Sequence, residues 1–413
     1  MSKKVFNLLL AGAILFRVVV SFLIWHPDLN NHVDWGIRFF EYGTKAFYAP
    51  ESNVWSYTWP NQPPGTMYMF AGVRKLFEFV FNIVWQINIK VPAFPSVVVS
   101  YFETNLYPAL LKLPAILCDL GISYLIIKIT KKNWLGLVWL YNPVVFYNSA
   151  VWGQYDAVIN FFGLLSFYLL TKKKLLFSML LMALSFYIKA SLLIFAPIWF
   201  VFALTQRYKL KDWAVSALVV TSVIFILTLP FSKGNVFVWL YELYTKKIFV
   251  AQLHVITANA FNIWATIAGI HERPDSLPFL LLNYKTWGTL LFGIFYIPLL
   301  VKLYKNKNEK TLFYTLALAA FSSFILMTNM HERYLYPLFP YLTILLGLTN
   351  LSFWYYLGVS LISLLNLYNF WFTPKVSIIV DFLSFGDRLT PRVLGLILTI
   401  LYLRIYSRYN ELK

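Results

Sequence analysis

A polytopic bundle of transmembrane α-helices is the architecture this chain encodes. Of its 413 residues, 60% are hydrophobic, 20% aromatic and only 13% charged, whereas a soluble globule is roughly 45–50% apolar and about 25% charged. The mean hydropathy is +0.65. Apolar stretches close to the roughly 20 residues that cross a bilayer recur along the whole length. Between them the charges gather in short basic clusters. A net charge of +18 distributed that way encodes topology rather than a nucleic-acid surface. The single cysteine, Cys118, lies in an apolar run, which excludes a disulfide framework and a thiolate metal cluster.

The first helix is expected at 5–25. Lys3 and Lys4 precede it and no small-residue cleavage site follows the exit Trp25-His26-Pro27-Asp28, so it reads as an uncleaved signal anchor. A long external loop, 26–107, follows. Its stretch 66–85 is apolar, but Arg74, Lys75, Glu78 and Asn82 share one helical face. Charge at a bilayer centre costs roughly 2.5–3.5 kcal/mol per residue, which places this stretch in the interface instead. Further spans are expected at 108–128, 134–150, 157–171, 174–188, 190–206, 213–231, 286–303, 311–329, 335–349, 351–371 and 391–407, about twelve in all at that span length. The turns between them fall into two classes. Lys3/Lys4, Lys128/Lys131/Lys132, Lys172/Lys173/Lys174, Arg207/Lys209/Lys211, Lys302/Lys305/Lys307/Lys310 and Arg404/Arg408/Lys413 all fall on one side, cytoplasmic by the positive-inside rule, with both termini inside. The loops 26–107, 231–285 and 373–390 fall on the other. Residues 1–413 therefore read as a single membrane domain with no soluble appendage.

Under this threading the unusual polar residues collect at the external face. His26, Asp28, His32, Asp34 and Glu41 follow the first helix, and Gln154 and Asp156 sit in Trp152-Gly153-Gln154-Tyr155-Asp156. Lys189 lies at a tight helical junction, His254 and Asn259 in the second loop, and His331-Glu332-Arg333 between two apolar runs. Asp28 and Glu41 read as solvated or capping carboxylates. Asp34 precedes Trp35 and an interfacial helical pattern, which holds it near the membrane surface. Taken alone, Asp156 reads as a helix cap and Lys189 as a snorkelling side chain. Three ionisable groups in one short turn at 331–333 favour anion binding, since arginine offers a bidentate fork for phosphate. The outer aromatics belong mostly to an interfacial belt. Walker A, GxGxxG, HExxH and GxSxG motifs are absent, which argues against ATP-driven chemistry.

These motifs resemble those of the GT-C-fold glycosyltransferases, multi-pass enzymes that use polyprenyl-phosphate-linked sugars. The resemblance is carried by Asp34 in the first external loop, Trp59-Pro60-Asn61-Gln62-Pro63-Pro64-Gly65, and Leu111-Lys112-Leu113-Pro114 followed by Asp119. It continues through Tyr141-Asn142-Pro143, the 152–156 motif, Ala258-Asn259-Ala260-Phe261-Asn262-Ile263-Trp264 and Met330-His331-Glu332-Arg333-Tyr334-Leu335. Order and spacing are similar to the branch related to the second mannose-adding enzyme of GPI-anchor synthesis and its bacterial relatives. The match covers 5–345, leaving 346–413 as C-terminal helices without a signature.

The resemblance implies an inverting hexosyltransferase, with mannose as the implied sugar, acting on a lipid, glycan or protein acceptor. Asp34 is implied as catalytic base, Asp156 as a second acid near it, and His331, Glu332 and Arg333 with Lys189, Gln154 and Asn259 as donor-phosphate and substrate contacts. Val33-Asp34-Trp35 has no second acid beside Asp34, so neither metal nor cofactor is expected. Membrane lipids and the polyprenyl-phosphate sugar are the expected partners, and nucleic acid is not. The location expected is a bacterial cytoplasmic membrane with the site facing outward. The chief rival is a transporter or flippase of lipid-linked sugars, whose usual internal repeat is not visible here. A non-catalytic scaffold would not need the external acids or the Arg-His pair.

Overall fold

In the computed structural model, which describes residues 2–49, 58–250 and 253–410, the chain is almost entirely helical. The expected external loops include 50–57 and 251–252, and the last basic cluster includes Lys413; these lie outside the described residues. Helix α1 (Lys3–Leu23) starts at a Ser2 cap, whose hydroxyl accepts from the Val5 amide. It buries only Ala13, Arg17 and Ser21, a stripe at a four-residue interval, and otherwise presents leucines and valines outward. Such a surface suits lipid.

The first loop is largely helical. α2 (Leu29–Phe47) is amphipathic and buries Leu29, His32, Trp35, Gly36 and Phe47. α3 (Pro64–Lys90) begins at a proline in its first turn, and its charged face is paired, Arg74 to Glu78 at 3.3 Å and Lys75 to Glu78 at 2.7 Å. Its start docks on the end of a later helix: a Cβ at Gly65 would stand 2.6 Å from the Tyr187 carbonyl oxygen. Only glycine permits that approach. α4 (Ser96–Leu111) and α5 (Leu113–Thr130) meet at Lys112, so the span expected from 108 begins a dozen residues earlier.

The expected span 134–150 is broken. α6 (Asn133–Leu140) stops at Tyr141. Asn142 then caps α7 (Pro143–Phe146) with its side-chain oxygen, Pro143 opens that helix, and a π-helical segment, Tyr147–Trp152, continues it. Two antiparallel helices follow, α8 (Asp156–Thr171) and α9 (Leu175–Ile188). A 3₁₀ segment, Ala190–Phe195, leads into α10 (Ala196–Thr205), and α11 (Leu210–Thr228) follows. The second loop holds α12 (Val236–Glu242), a π-helical segment Leu243–Ile248, α13 (Ile263–Ala268) and a short antiparallel pairing of Pro278–Phe279 with Leu282–Asn283.

α14 (Tyr284–Lys305) and α15 (Glu309–Leu326) come next. α15 is the central post, buried at every position from Thr311 to Leu326. Its Ala317, Ala319, Ala320, Ser322 and Ser323 let neighbouring backbones approach, as small residues do in membrane bundles. α16 (Leu338–Leu348), α17 (Phe353–Tyr368) and α18 (Ser377–Asn410) complete the chain. α18 is interrupted at Phe385–Arg388 and begins inside the stretch expected to be the third external loop. Among the described residues, six helical stretches are long and apolar enough to cross a membrane: Lys3–Leu23, Ser96–Thr130, Leu210–Thr228, Tyr284–Lys305, Glu309–Leu326 and Ser377–Tyr409. Asp156–Thr171, Leu175–Ile188, Ala190–Thr205 and Phe353–Tyr368 are apolar but shorter.

Candidate functional site

Four segments distant in sequence converge on one polar cluster: the exit of α1, the 152–156 turn before α8, Lys189 after α9, and the 331–333 turn after α15. The 152–156 turn exists because the π-helical segment ends at Gly153 with φ +81°, in the left-handed region. A Cβ there would also stand 2.7 Å from Leu29 Cδ1. The 331–333 turn is held by a short pairing of His331 with Ala258 and Asn259, and the Ala258 amide donates to the Met330 carbonyl at 3.0 Å.

Asp28 is the carboxylate at the centre. Its Oδ2 accepts from Gln154 Nε2 at 2.6 Å and from Trp152 Nε1 at 3.1 Å, and its Oδ1 accepts from Asn31 Nδ2 at 3.1 Å. Burial pushes its pKa up, but the charge of Arg333, with His32 and the Trp152 donor, holds it below the ordinary aspartate value. The residue is half-buried. Around it the aromatic groups form a stack. The His26 ring lies 4.5 Å from Trp152 and 4.8 Å from Trp371, and the Arg333 guanidinium carbon lies 5.5 Å from the Trp152 ring. Trp152 thus touches both the carboxylate and the guanidinium, a hydrogen bond at its edge and a cation–π contact at its face.

Arg333 donates from Nη1 to Glu332 Oε1 at 2.9 Å, while its buried Nε has no hydrogen-bond partner among the described residues. Burial opposes its charge, yet Glu332 and Asp28 raise its pKa above the ordinary value. An arginine with a fixed charge and an unmatched donor is poised for an oxyanion. Glu332 is buried beneath it, its pKa raised by that burial. Asp156 and Lys189 form a deeper pair at 2.5 Å, both side chains under a tenth exposed. Asp156 Oδ2 also accepts from Asn148 Nδ2 at 3.2 Å. Burial lowers the Lys189 pKa, and Asp156 opposes the shift.

Several expectations need correction. Asp34 makes no hydrogen bond to the cluster, and its buried Oδ2 has no hydrogen-bond partner among the described residues. At 3.6 residues per turn Asp34 stands about 100–160° round the helix from Asp28, His32 and Trp35, and its Oδ1 accepts from Arg38 Nε at 2.8 Å. Asp28, expected to be a solvated or capping carboxylate, takes the central place. Lys189 neither snorkels nor offers a free cation, because Asp156 neutralises it. His331 carries no fixed positive charge: burial and the neighbouring Arg333 lower its pKa to about 3. Asn259 exchanges its side-chain amide with Asn369 and its carbonyl accepts from Asn366 Nδ2 at 2.6 Å, so it ties the loop paired with His331 to the end of α17. Gln154 acts through Asp28. Sequence reasoning grouped His26 and His32 with the external cluster but gave them no role, and it missed Trp371. The available signal was the helical spacing of Asp28, His32 and Trp35, which puts three unusual residues on one buried face of α2. No protein-family model and no curated protein matches the chain.

Proposed function

We propose that this chain is an inverting glycosyltransferase of the membrane, moving a hexose, mannose by resemblance, from a polyprenyl-phosphate donor to a lipid, glycan or protein acceptor. The observation that carries the reading is the pairing of an ionised, half-buried Asp28 with an arginine that keeps an unmatched donor, both braced by Trp152. That pairing supplies the two groups such a transfer needs. The acceptor hydroxyl oxygen attacks the anomeric carbon and its proton passes to Asp28, whose Oδ1 carries a single side-chain donor, Asn31. The bond from the anomeric carbon to the phosphate oxygen breaks, and its electron pair stays on the lipid phosphate. Arg333 balances the charge that develops there. Neutral His331 acts only through hydrogen bonding. Asp28 therefore takes the role that the resemblance implied for Asp34, and the buried Asp156–Lys189 pair shapes the floor. The membrane is a bacterial cytoplasmic membrane in this reading, crossed about twelve times at the usual span length, with the cluster on the outer side.

The test is release of polyprenyl phosphate from radiolabelled polyprenyl-phosphate mannose, by purified protein in liposomes supplied with a membrane-lipid acceptor extract. Asp28→Asn is expected to lose transfer by on the order of a hundredfold or more, the usual contribution of a general base. Asp34→Asn is expected to keep most of it. The opposite ranking returns the base to Asp34. Movement of the sugar lipid between leaflets without release of polyprenyl phosphate supports a flippase instead.

A further inference from the structure

We propose that Asp119, within α5, is a positioning residue that holds three site-bearing segments in one register; as a statement about function it rests on the site described above. Asp119 is completely buried. Its Oδ2 accepts from Ser149 Oγ at 2.6 Å and from Arg17 Nε at 3.4 Å, and its Oδ1 accepts from the Tyr336 hydroxyl at 3.0 Å. Its backbone carbonyl accepts from Trp139 Nε1 at 2.9 Å. Each side-chain donor belongs to a segment that carries part of the cluster. Arg17 lies on α1, whose exit leads to His26 and Asp28. Ser149 lies in the π-helical segment that ends at Trp152. Tyr336 follows the turn that holds Arg333.

The attachment to α1 is doubled. Lys112 precedes Asp119 by seven residues, about two helical turns along the same face. Its Nζ donates to the Ser21 carbonyl at 3.1 Å and the Ile24 carbonyl at 2.6 Å, fastening the end of α1 where the chain turns toward Asp28. Arg17 in turn donates to the Leu140 carbonyl at 2.6 Å, tying α1 to the helix before the break at Asn142. Low local dielectric makes such a network directional, and removal of one member leaves its partners unmatched. Replacing a buried ion pair with apolar residues, by contrast, is often tolerated by the fold. The network can therefore be dismantled without unfolding the bundle.

Hydrogen exchange on the full-length protein in lipid nanodiscs tests this without any substrate. Tyr336→Phe is expected to speed exchange on the order of tenfold in the 331–336 turn alone, and Ser149→Ala in 148–155 alone, the size of one lost buried hydrogen bond. Arg17→Met with Asp119→Leu should loosen both stretches and the amides of 24–32 together, with α15 unchanged. Ser149→Thr, which keeps the hydroxyl, should restore protection. Acceleration that includes α15, or no change in any of the three stretches, overturns the proposal. In the transfer assay Tyr336→Phe should lower turnover on the order of tenfold at an unaltered melting temperature. Unchanged turnover with a loosened turn overturns the positioning role. If the exchange pattern appears but the wild type transfers no sugar, the structural coupling stands and the glycosyltransfer reading is what fails.

Discussion

Asp28 and its two neighbouring histidines divide the charge in the site unequally. The carboxylate stays ionised because Arg333 and Trp152 outweigh its burial, whereas burial keeps His26 and His32 neutral, at about 3 and about 4. His26 Nε2 and His32 Nδ1 have no hydrogen-bond partner among the described residues, so neither imidazole gains a compensating acceptor for a second proton. This fixes the sign of the acid response. In the unfolded chain both rings take up protons below about 6.5; in the folded chain they resist until far lower pH. Stability contributed by the neutral rings is complete above that value. It falls as pH drops toward 4, by up to about 1.4 kcal/mol per histidine per pH unit. The melting temperature in detergent is therefore expected to fall between pH 7 and pH 5, and His26→Asn with His32→Gln should flatten that fall. An unchanged slope in the double variant would assign the acid response to other groups.

At the scale of elements, short breaks rather than long helices build the site. The π-helical segment closed by Gly153, the extended Lys189 between α9 and the 3₁₀ segment, and the 3₁₀ turn after His331 each turn a side chain out of the regular ladder. Hydropathy located most apolar helices, because a twenty-residue apolar run is an unambiguous signal. It set the start of the α4–α5 span twelve residues late, where Glu103, Thr104 and Asn105 interrupt the apolar run, and it caught α2 only as an interfacial helical pattern after Trp35. It also merged α6 with α7, since Tyr141-Asn142-Pro143 is a small interruption in an apolar run. Asp28 reads from sequence as a solvated or capping carboxylate for a related reason: a carboxylate at the mouth of a helix has the same local pattern whether it faces water or a buried tryptophan. Close approach of elements is equally invisible to hydropathy, and Gly65 is the sharpest case. Gly65→Ala would press a methyl group to within 2.6 Å of the Tyr187 backbone oxygen, while Gly72 on the same helix has nothing within 4 Å. Gly72→Ala is expected to be neutral or to stabilise by up to about 1 kcal/mol. Gly65→Ala should lower the melting temperature and loosen the contact of Thr66 with the Ile188 carbonyl, now 2.5 Å. Equal melting temperatures for the two variants would show that the docking of α3 on α9 is not tight.

Across the whole molecule the two kinds of turn alternate. α5 ends at the basic Lys131–Lys132 turn, and the next passage upward, through α6, α7 and the π-helical segment, ends at Trp152 in the cluster. α8 runs from the cluster to Lys172–Lys174, α9 returns to Lys189, and α10 descends to Arg207. α14 descends to Lys305 and α15 climbs to the 331–333 turn. Such alternation is the outcome expected when each passage crosses the same slab and basic turns are retained on the inner side. The orientation proposed above rests on several turns at once, so a single reversed helix would break the pattern on both sides of itself. It also accounts for the shortness of α8 and α9: both are packed among other helices, where polar ends meet protein rather than lipid. Single cysteines introduced into a Cys118→Ser background test the arrangement in sealed, right-side-out vesicles. Lys173→Cys and Lys307→Cys are expected to resist an impermeant maleimide until the membrane is opened, whereas Glu41→Cys and Lys375→Cys should react at once. Outer labelling at 173 would invert the cluster to the inner face and remove the external-donor mechanism. Labelling at 173 and 375 from the same side would show that the alternation does not reflect membrane crossings at all.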